Sequence, residues 1–150
     1  MTVVIGLSGK ARRGKGSVVQ LAQIWLQKGD DELEVRTVSF AAAHKEIATE
    51  LIYDLERGHE GYALHQLTGL GLPVEIARQV IDLARGLTIE DLEAKTPQAR
   101  RLLQFIGTEA FRKHVDDLYW VQRAAEAVAE LPSETQVVFI PDCRFPNEAD

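Results

Sequence analysis

A chain of 150 residues, 45% hydrophobic and 27% charged, has the size of one domain and enough apolar residues to bury its own core. With 17 basic against 23 acidic residues its net charge is −6, which argues against a protein that coats DNA or an anionic membrane. Its one cysteine, Cys143, excludes an internal disulfide and a cysteine-built metal site, and His44, His59, His65 and His114 show no metal-ligand spacing. The N-terminus lacks the basic-then-apolar order of a secretory signal, and no apolar stretch approaches the thickness of a bilayer, so a cytoplasmic protein is expected.

Along the chain, the apolar run Val3-Val4-Ile5-Gly6-Leu7 predicts a first strand over about residues 2–8. Gly9-Lys10-Ala11-Arg12-Arg13-Gly14-Lys15-Gly16-Ser17 follows, and then a helical pattern through Val18, Leu21, Ala22 and Trp25 to about residue 28. Strand, glycine-bracketed loop and helix in that order are the setting of a phosphate-binding P-loop. Gly9 and Gly14 allow a tight turn whose N–H groups point inward at phosphate oxygens, and the helix adds its positive N-terminal end. Lys15 is placed to reach the β- and γ-phosphates as a compact point charge. The basic residues Lys10, Arg12, Arg13 and Lys15 crowd this one loop, which suits a small polyanion better than a polymer. The alternative is a glycine-rich turn without a ligand.

Gly29-Asp30-Asp31 reads as a polar turn, and residues 35–40 as a second strand. A helix over about 42–57 ends at Gly58. The stretch 58–71 is weakly patterned, with glycines in loop-like settings. Short helices are then expected: one from Pro73 with an apolar face of Val74, Ala77, Val80, Ile81 and Ala84, and one capped by Thr88. Another opens at Thr96-Pro97 and runs through Leu102, Leu103 and Ile106 to a stop at Gly107. Thr108 would cap the next segment, and Asp116 or Asp117 the helix from Trp120 to Ala129.

Residues 136–140 form a nearly continuous apolar run, as expected of a parallel strand buried on both faces. Strands alternating with helices predict a three-layer α/β fold with a parallel sheet. The strand ends in Pro141-Asp142, and ligands of such sheets gather beyond the carboxyl ends of the strands. Asp142 could there hold Mg²⁺ through water, and Arg144 could grip a phosphate with two parallel hydrogen bonds. Read alone, Asp142 is as well a turn or cap residue. Residues 146–150 look like the start of a helix, so the sheet is expected to be incomplete and the chain a fragment of a longer protein.

The order Gly14-Lys15-Gly16-Ser17, with the hydroxyl displaced by one residue, resembles nucleoside monophosphate kinases, in which that hydroxyl reaches toward the α-phosphate. A wider set of motifs resembles the bacteriophage-type deoxynucleoside monophosphate kinases. It comprises Ser8–Lys15, Phe40-Ala41 with Lys45, Leu102-Leu103-Gln104 with Gly107-Thr108-Glu109, Trp120-Val121, and Asp142-Cys143-Arg144-Phe145-Pro146-Asn147-Glu148. The last element is the most specific. The resemblance implies a P-loop kinase core over 1–150, a helical acceptor-side insert over about 58–106, and a lid and base-binding part not included in this chain. It implies transfer of the γ-phosphoryl group of ATP to a deoxynucleoside monophosphate with Mg²⁺, in the cytoplasm of the host if the protein is phage-encoded. Gly9, Lys10, Ala11, Arg12, Arg13, Gly14, Lys15, Gly16 and Ser17 would form the triphosphate site. Lys15, Asp142 and Arg144 would be catalytic, and Lys45, Gly107, Thr108 and Arg144 would face the acceptor. Where this family often has an acidic residue and a proline, the chain has Ala42-Ala43-His44.

Each of these residues also has a plainer reading. Lys45 is equally a solvated lysine, and Arg100 and Arg101 read as surface charges on a helix buried through its leucines. Arg112 and Lys113 contact phosphate only if their helix faces the cleft. Tyr119 and Trp120 could stack on a base, but read better as buried anchors. His44 could touch a phosphate but, at a helix start, is expected to be merely exposed, and Cys143 has no role. The rival functions are a P-loop kinase acting on a cofactor precursor or sugar acid, and a nucleotide-dependent switch or assembly module. No nucleic-acid or membrane partner is expected, and a homodimer is left open.

Overall fold

A computed structural model describes residues 2–8, 14–28 and 33–143. It is mixed α/β, with an open three-stranded parallel sheet and a series of helices. Two units divide it, Met1–Phe40 with Val121–Asp150 and Ala41–Trp120. Among the described residues no helix is long and apolar enough to cross a membrane.

The first unit holds the sheet. Its strands are β1 (Val3–Ser8), β2 (Glu34–Thr37) and β3 (Thr135–Cys143), in spatial order β1-β3-β2 and all parallel. The last strand in sequence is therefore the central one, which explains its apolar run: Val137, Val138, Phe139 and Ile140 are all buried. Helix α1 (Lys15–Gln27) covers one face through Val19, Ala22 and Leu26, which pack with Leu7, Leu33, Val35, Val137 and Phe139. Of the stripe expected from the sequence, only Ala22 faces inward. Val18, Leu21, Ile24 and Trp25 are exposed, with Leu21 at 68% and Trp25 at 77%, and so are Val3, Val4 and Ile5 on β1. α1 is apolar on two sides, and β-sheet contact selects the side spaced 19, 22, 26. Changing Leu21 and Trp25 together to Gln should lower the binding of a hydrophobic dye, and shift the melting temperature by no more than about 2 °C, because exposed side chains contribute little to stability.

β2 is shorter than expected, ending at Thr37, because the chain turns at Ser39 and α2 (Phe40–Glu56) begins at once. The second unit is helical. Ala48, Leu51 and Ile52 of α2 are buried, and α3 (Glu60–Gly69) occupies most of the stretch read as loop. Its Ala63 and Leu67 lie one turn apart and are buried, so packing outweighs the helix-weakening Gly61 and Gly69. In α4 (Val74–Ala84) four of the five expected apolar residues are buried, and Val74 is exposed.

The expected caps hold for the next two helices. At α5 (Ile89–Ala94), Thr88 accepts from Asp91 N while the Asp91 carboxylate accepts from Thr88 N, a reciprocal capping box. At α6 (Pro97–Gln104), Thr96 accepts from Ala99 N. Gly107 does not end the helix as expected, and Thr108 caps nothing: the chain continues as a π-helical turn, Phe105–Ala110, into α7 (Phe111–His114). Phe111 N donates to Ile106 O, one residue further back than in an α-helix. Asp116 accepts from Leu118 N just before α8 (Tyr119–Ala129).

Candidate functional site

The segment from β1 to α1 carries the glycine-rich motif. Gly9, Lys10, Ala11, Arg12 and Arg13 lie outside the described residues, and so does Arg144. Gly14 is the N-cap of α1, with φ 77° and ψ 17°, a left-handed conformation that an L side chain adopts at a cost of about 1–2 kcal/mol. Among the described residues nothing lies within 4 Å of where its Cβ would be, so φ is what requires glycine there. Val18 N donates to Gly14 O at 3.0 Å, closing the first helical turn. Gly14 offers no side chain to cap this helix end and no acidic residue stands in its first turn, a pattern suited to an anion. Lys15 is half-buried at the first helical position, and Gly16 and Ser17 are exposed on the same turn.

β1 and β3 run side by side, so their carboxyl ends meet: Ser8, directly before the glycine-rich loop, pairs with Cys143. A Cβ on Gly6 would stand 3.0 Å from Cys143 Sγ, which accounts for a glycine in the strand. The buried Cys143 is thereby a packing residue.

Asp142 is half-buried and engaged. Its Oδ2 accepts from Ser39 Oγ at 2.7 Å, and its Oδ1 from Phe40 N at 3.0 Å. The carboxylate therefore satisfies the first N–H of α2 and lies at that helix's positive end. It is a cap supplied from another element, which sequence spacing could not reveal. A carboxylate oxygen can accept more than one hydrogen bond. Among the described residues no three His, Cys, Asp or Glu side chains come together as a metal group. That donor set does not fit a protein-built cage. It fits a hydrated Mg²⁺ that phosphates hold and one carboxylate steadies through water.

Of the residues expected to face an acceptor, Lys45, Gly107 and Thr108 fall in the helical unit. Lys45 is exposed on α2. Its neighbour His44, expected to be exposed, is half-buried against Gly107: a Cβ on Gly107 would stand 2.7 Å from His44 Cε1 and 2.9 Å from Nδ1. Trp120 Nε1 donates to Gly107 O at 2.7 Å, and the His44 and Trp120 rings meet edge-on, 4.1 Å between centroids. Gly107 is thus enclosed by protein on its carbonyl and on its α-carbon, while Thr108 beside it is half-buried. Tyr119 and Trp120 are buried, as expected of anchors, around Phe111. Arg112 pairs with Asp117 and Lys113 with Glu109, and Arg100 and Arg101 are exposed. The sequence contains one signal for this cluster, a lone glycine inside an apolar helical run.

A cleft of about 520 Å³ in the helical unit is lined by Glu56, Glu60, Arg85 and Thr88 among others, and by none of the residues expected to carry function. Arg85 is held there by hydrogen bonds to Glu60 and then Asp82, which raise its pKa above the ordinary value and keep it charged. Comparison of the chain with protein-family models, with curated proteins and with solved structures gives no match.

Proposed function

We propose that this chain is the core of a P-loop kinase that transfers the γ-phosphoryl group of ATP to a deoxynucleoside monophosphate. The observation that carries this reading is the Gly-x-x-x-x-Gly-Lys motif between a strand and a helix, with Gly14 left-handed at the start of α1. The adjacent parallel strand, ending in Asp142, supports it. So does the resemblance in the motifs around Phe40, Gly107 and Asp142.

In phosphoryl transfer the protein aligns the acceptor, phosphorus and leaving oxygens and neutralises charge on the transferring group. The amides at the start of α1 and the Lys15 ammonium would bind the β- and γ-phosphates, and Ser17 would reach toward the α-phosphate. Arg144 would meet the transferring or acceptor phosphate, and Lys45 the acceptor. Mg²⁺, when bound with ATP, supplies charge neutralisation between the phosphates, with Asp142 orienting its water shell.

The test is ADP release from Mg·ATP by the protein expressed from its complete reading frame, with each deoxynucleoside monophosphate supplied in turn. Acceptor-dependent ADP from at least one of them is the expected result, and the rates rank the bases. Slow ADP release that is the same with every acceptor and with none would replace the kinase by a nucleotide switch. Release that depends only on a sugar acid or cofactor precursor would keep the P-loop kinase and change its substrate.

A further inference from the structure

Of the glycines among the described residues, Gly107 leaves the least room for a side chain: an added Cβ would stand 2.7 Å from His44 Cε1. The π-turn in which Gly107 sits is a rare conformation, concentrated at functional sites in other proteins. Several independent contacts maintain it: Phe111 N bonds to Ile106 O, Trp120 Nε1 to Gly107 O, and the His44 ring fills the space a side chain at 107 would need. A ring seated against backbone on one side and against an indole on the other has little freedom to move.

We propose that His44 is a positioning residue for the acceptor, its ring locked between Gly107 and Trp120 so that it sets how α2 presents the next residue, Lys45. This rests on the kinase reading above. Successive residues of a helix lie about 100° apart around its axis, so anchoring His44 to Gly107 and Trp120 fixes the rotation of this turn of α2 against them, and with it the side from which Lys45 leaves the helix. Lys45 is exposed and able to meet a phosphate, whereas Gly107 is enclosed. Gly107 therefore serves the acceptor through His44, without touching it. Neither residue has a part in holding ATP, so disturbing the pair should alter acceptor use and spare ATP use.

Initial rates on the full chain, with ATP and the best deoxynucleoside monophosphate varied separately, test this in Gly107→Ala, His44→Ala and the double variant. Trp25→Phe in a parallel set leaves Trp120 as the sole tryptophan, so that its emission reports the His44 contact. Gly107→Ala should raise KM for the acceptor about tenfold or more, in the range expected when a reacting group is slightly misplaced, and leave KM for ATP within about twofold. His44→Ala should raise acceptor KM likewise and change Trp120 emission. The double variant should be no worse than His44→Ala, because the three atoms nearest the added methyl all belong to the His44 ring. His44→Ala introduces no clash, so it decides the matter if Gly107→Ala fails to fold. Unchanged acceptor KM in His44→Ala, with Trp120 emission altered, would overturn the inference and leave the kinase standing. Absence of acceptor-dependent ADP release by the unsubstituted protein expressed from its complete reading frame would overturn both.

Discussion

Lys15→Ala is expected to abolish acceptor-dependent ADP release and to leave the domain folded. Lys15 is at the first helical position of α1, directly after the left-handed Gly14, which offers no side chain to cap the helix end. A unit charge about 4 Å from a phosphate oxygen, at an effective dielectric near 20, contributes about 4 kcal/mol. If that interaction is made mainly with the transferring group, its loss corresponds to a rate reduction of about 10³. The fold should tolerate the change because α1 is held to the sheet by Val19, Ala22 and Leu26, and alanine is the best helix former for the vacated position. Initial-rate measurements with far-UV circular dichroism on the same sample check both halves. Undiminished ADP release by a folded Lys15→Ala chain would remove the kinase assignment.

The second large effect is expected at Asp142, where two substitutions separate two roles. Asp142→Ala deletes both acceptors, for Phe40 N and for Ser39 Oγ, and strips the start of α2 of its cap. By analogy with N-cap losses it should destabilise the protein by about 1–2 kcal/mol, a fall of a few degrees in melting temperature for a chain of this size. Asp142→Asn keeps an oxygen for Phe40 N and should retain most of that stability, but it removes the negative charge that would steady hydrated Mg²⁺. Activity in Asp142→Asn should therefore fall about 10²-fold, the scale of losing one electrostatic contact to the reaction. If Asp142→Asn is stable and fully active while Asp142→Ala is merely less stable, Asp142 is a cap and has no part in catalysis.

Several features follow from local chemistry and were legible along the chain. Val137 to Ile140 had to be a buried parallel strand, because an unbroken β-branched and aromatic run has no polar face to offer water. Thr88 with Asp91, and Thr96 before Pro97, are helix starts whose bonds span three residues, so spacing alone reveals them. Gly14 before Lys15 marks a left-handed turn into a helix for the same reason. What tertiary structure decided involves partners far apart in the chain. Two faces of α1 are apolar, and only contact with the sheet selected Val19, Ala22 and Leu26 over Val18, Leu21 and Trp25. The stretch 58–71 lacks a strong pattern, and buried Ala63 and Leu67 make it helical against its glycines. Gly107 looked like a stop because isolated glycine ends helices; His44 and Trp120, distant in sequence, hold it inside one. Asp142 read by itself as a turn or cap residue, and the fold supplies the helix it caps, through the first N–H of α2. Local bonds are written in residue spacing, whereas which face is covered, and which polar group finds a partner, is settled only when distant segments meet.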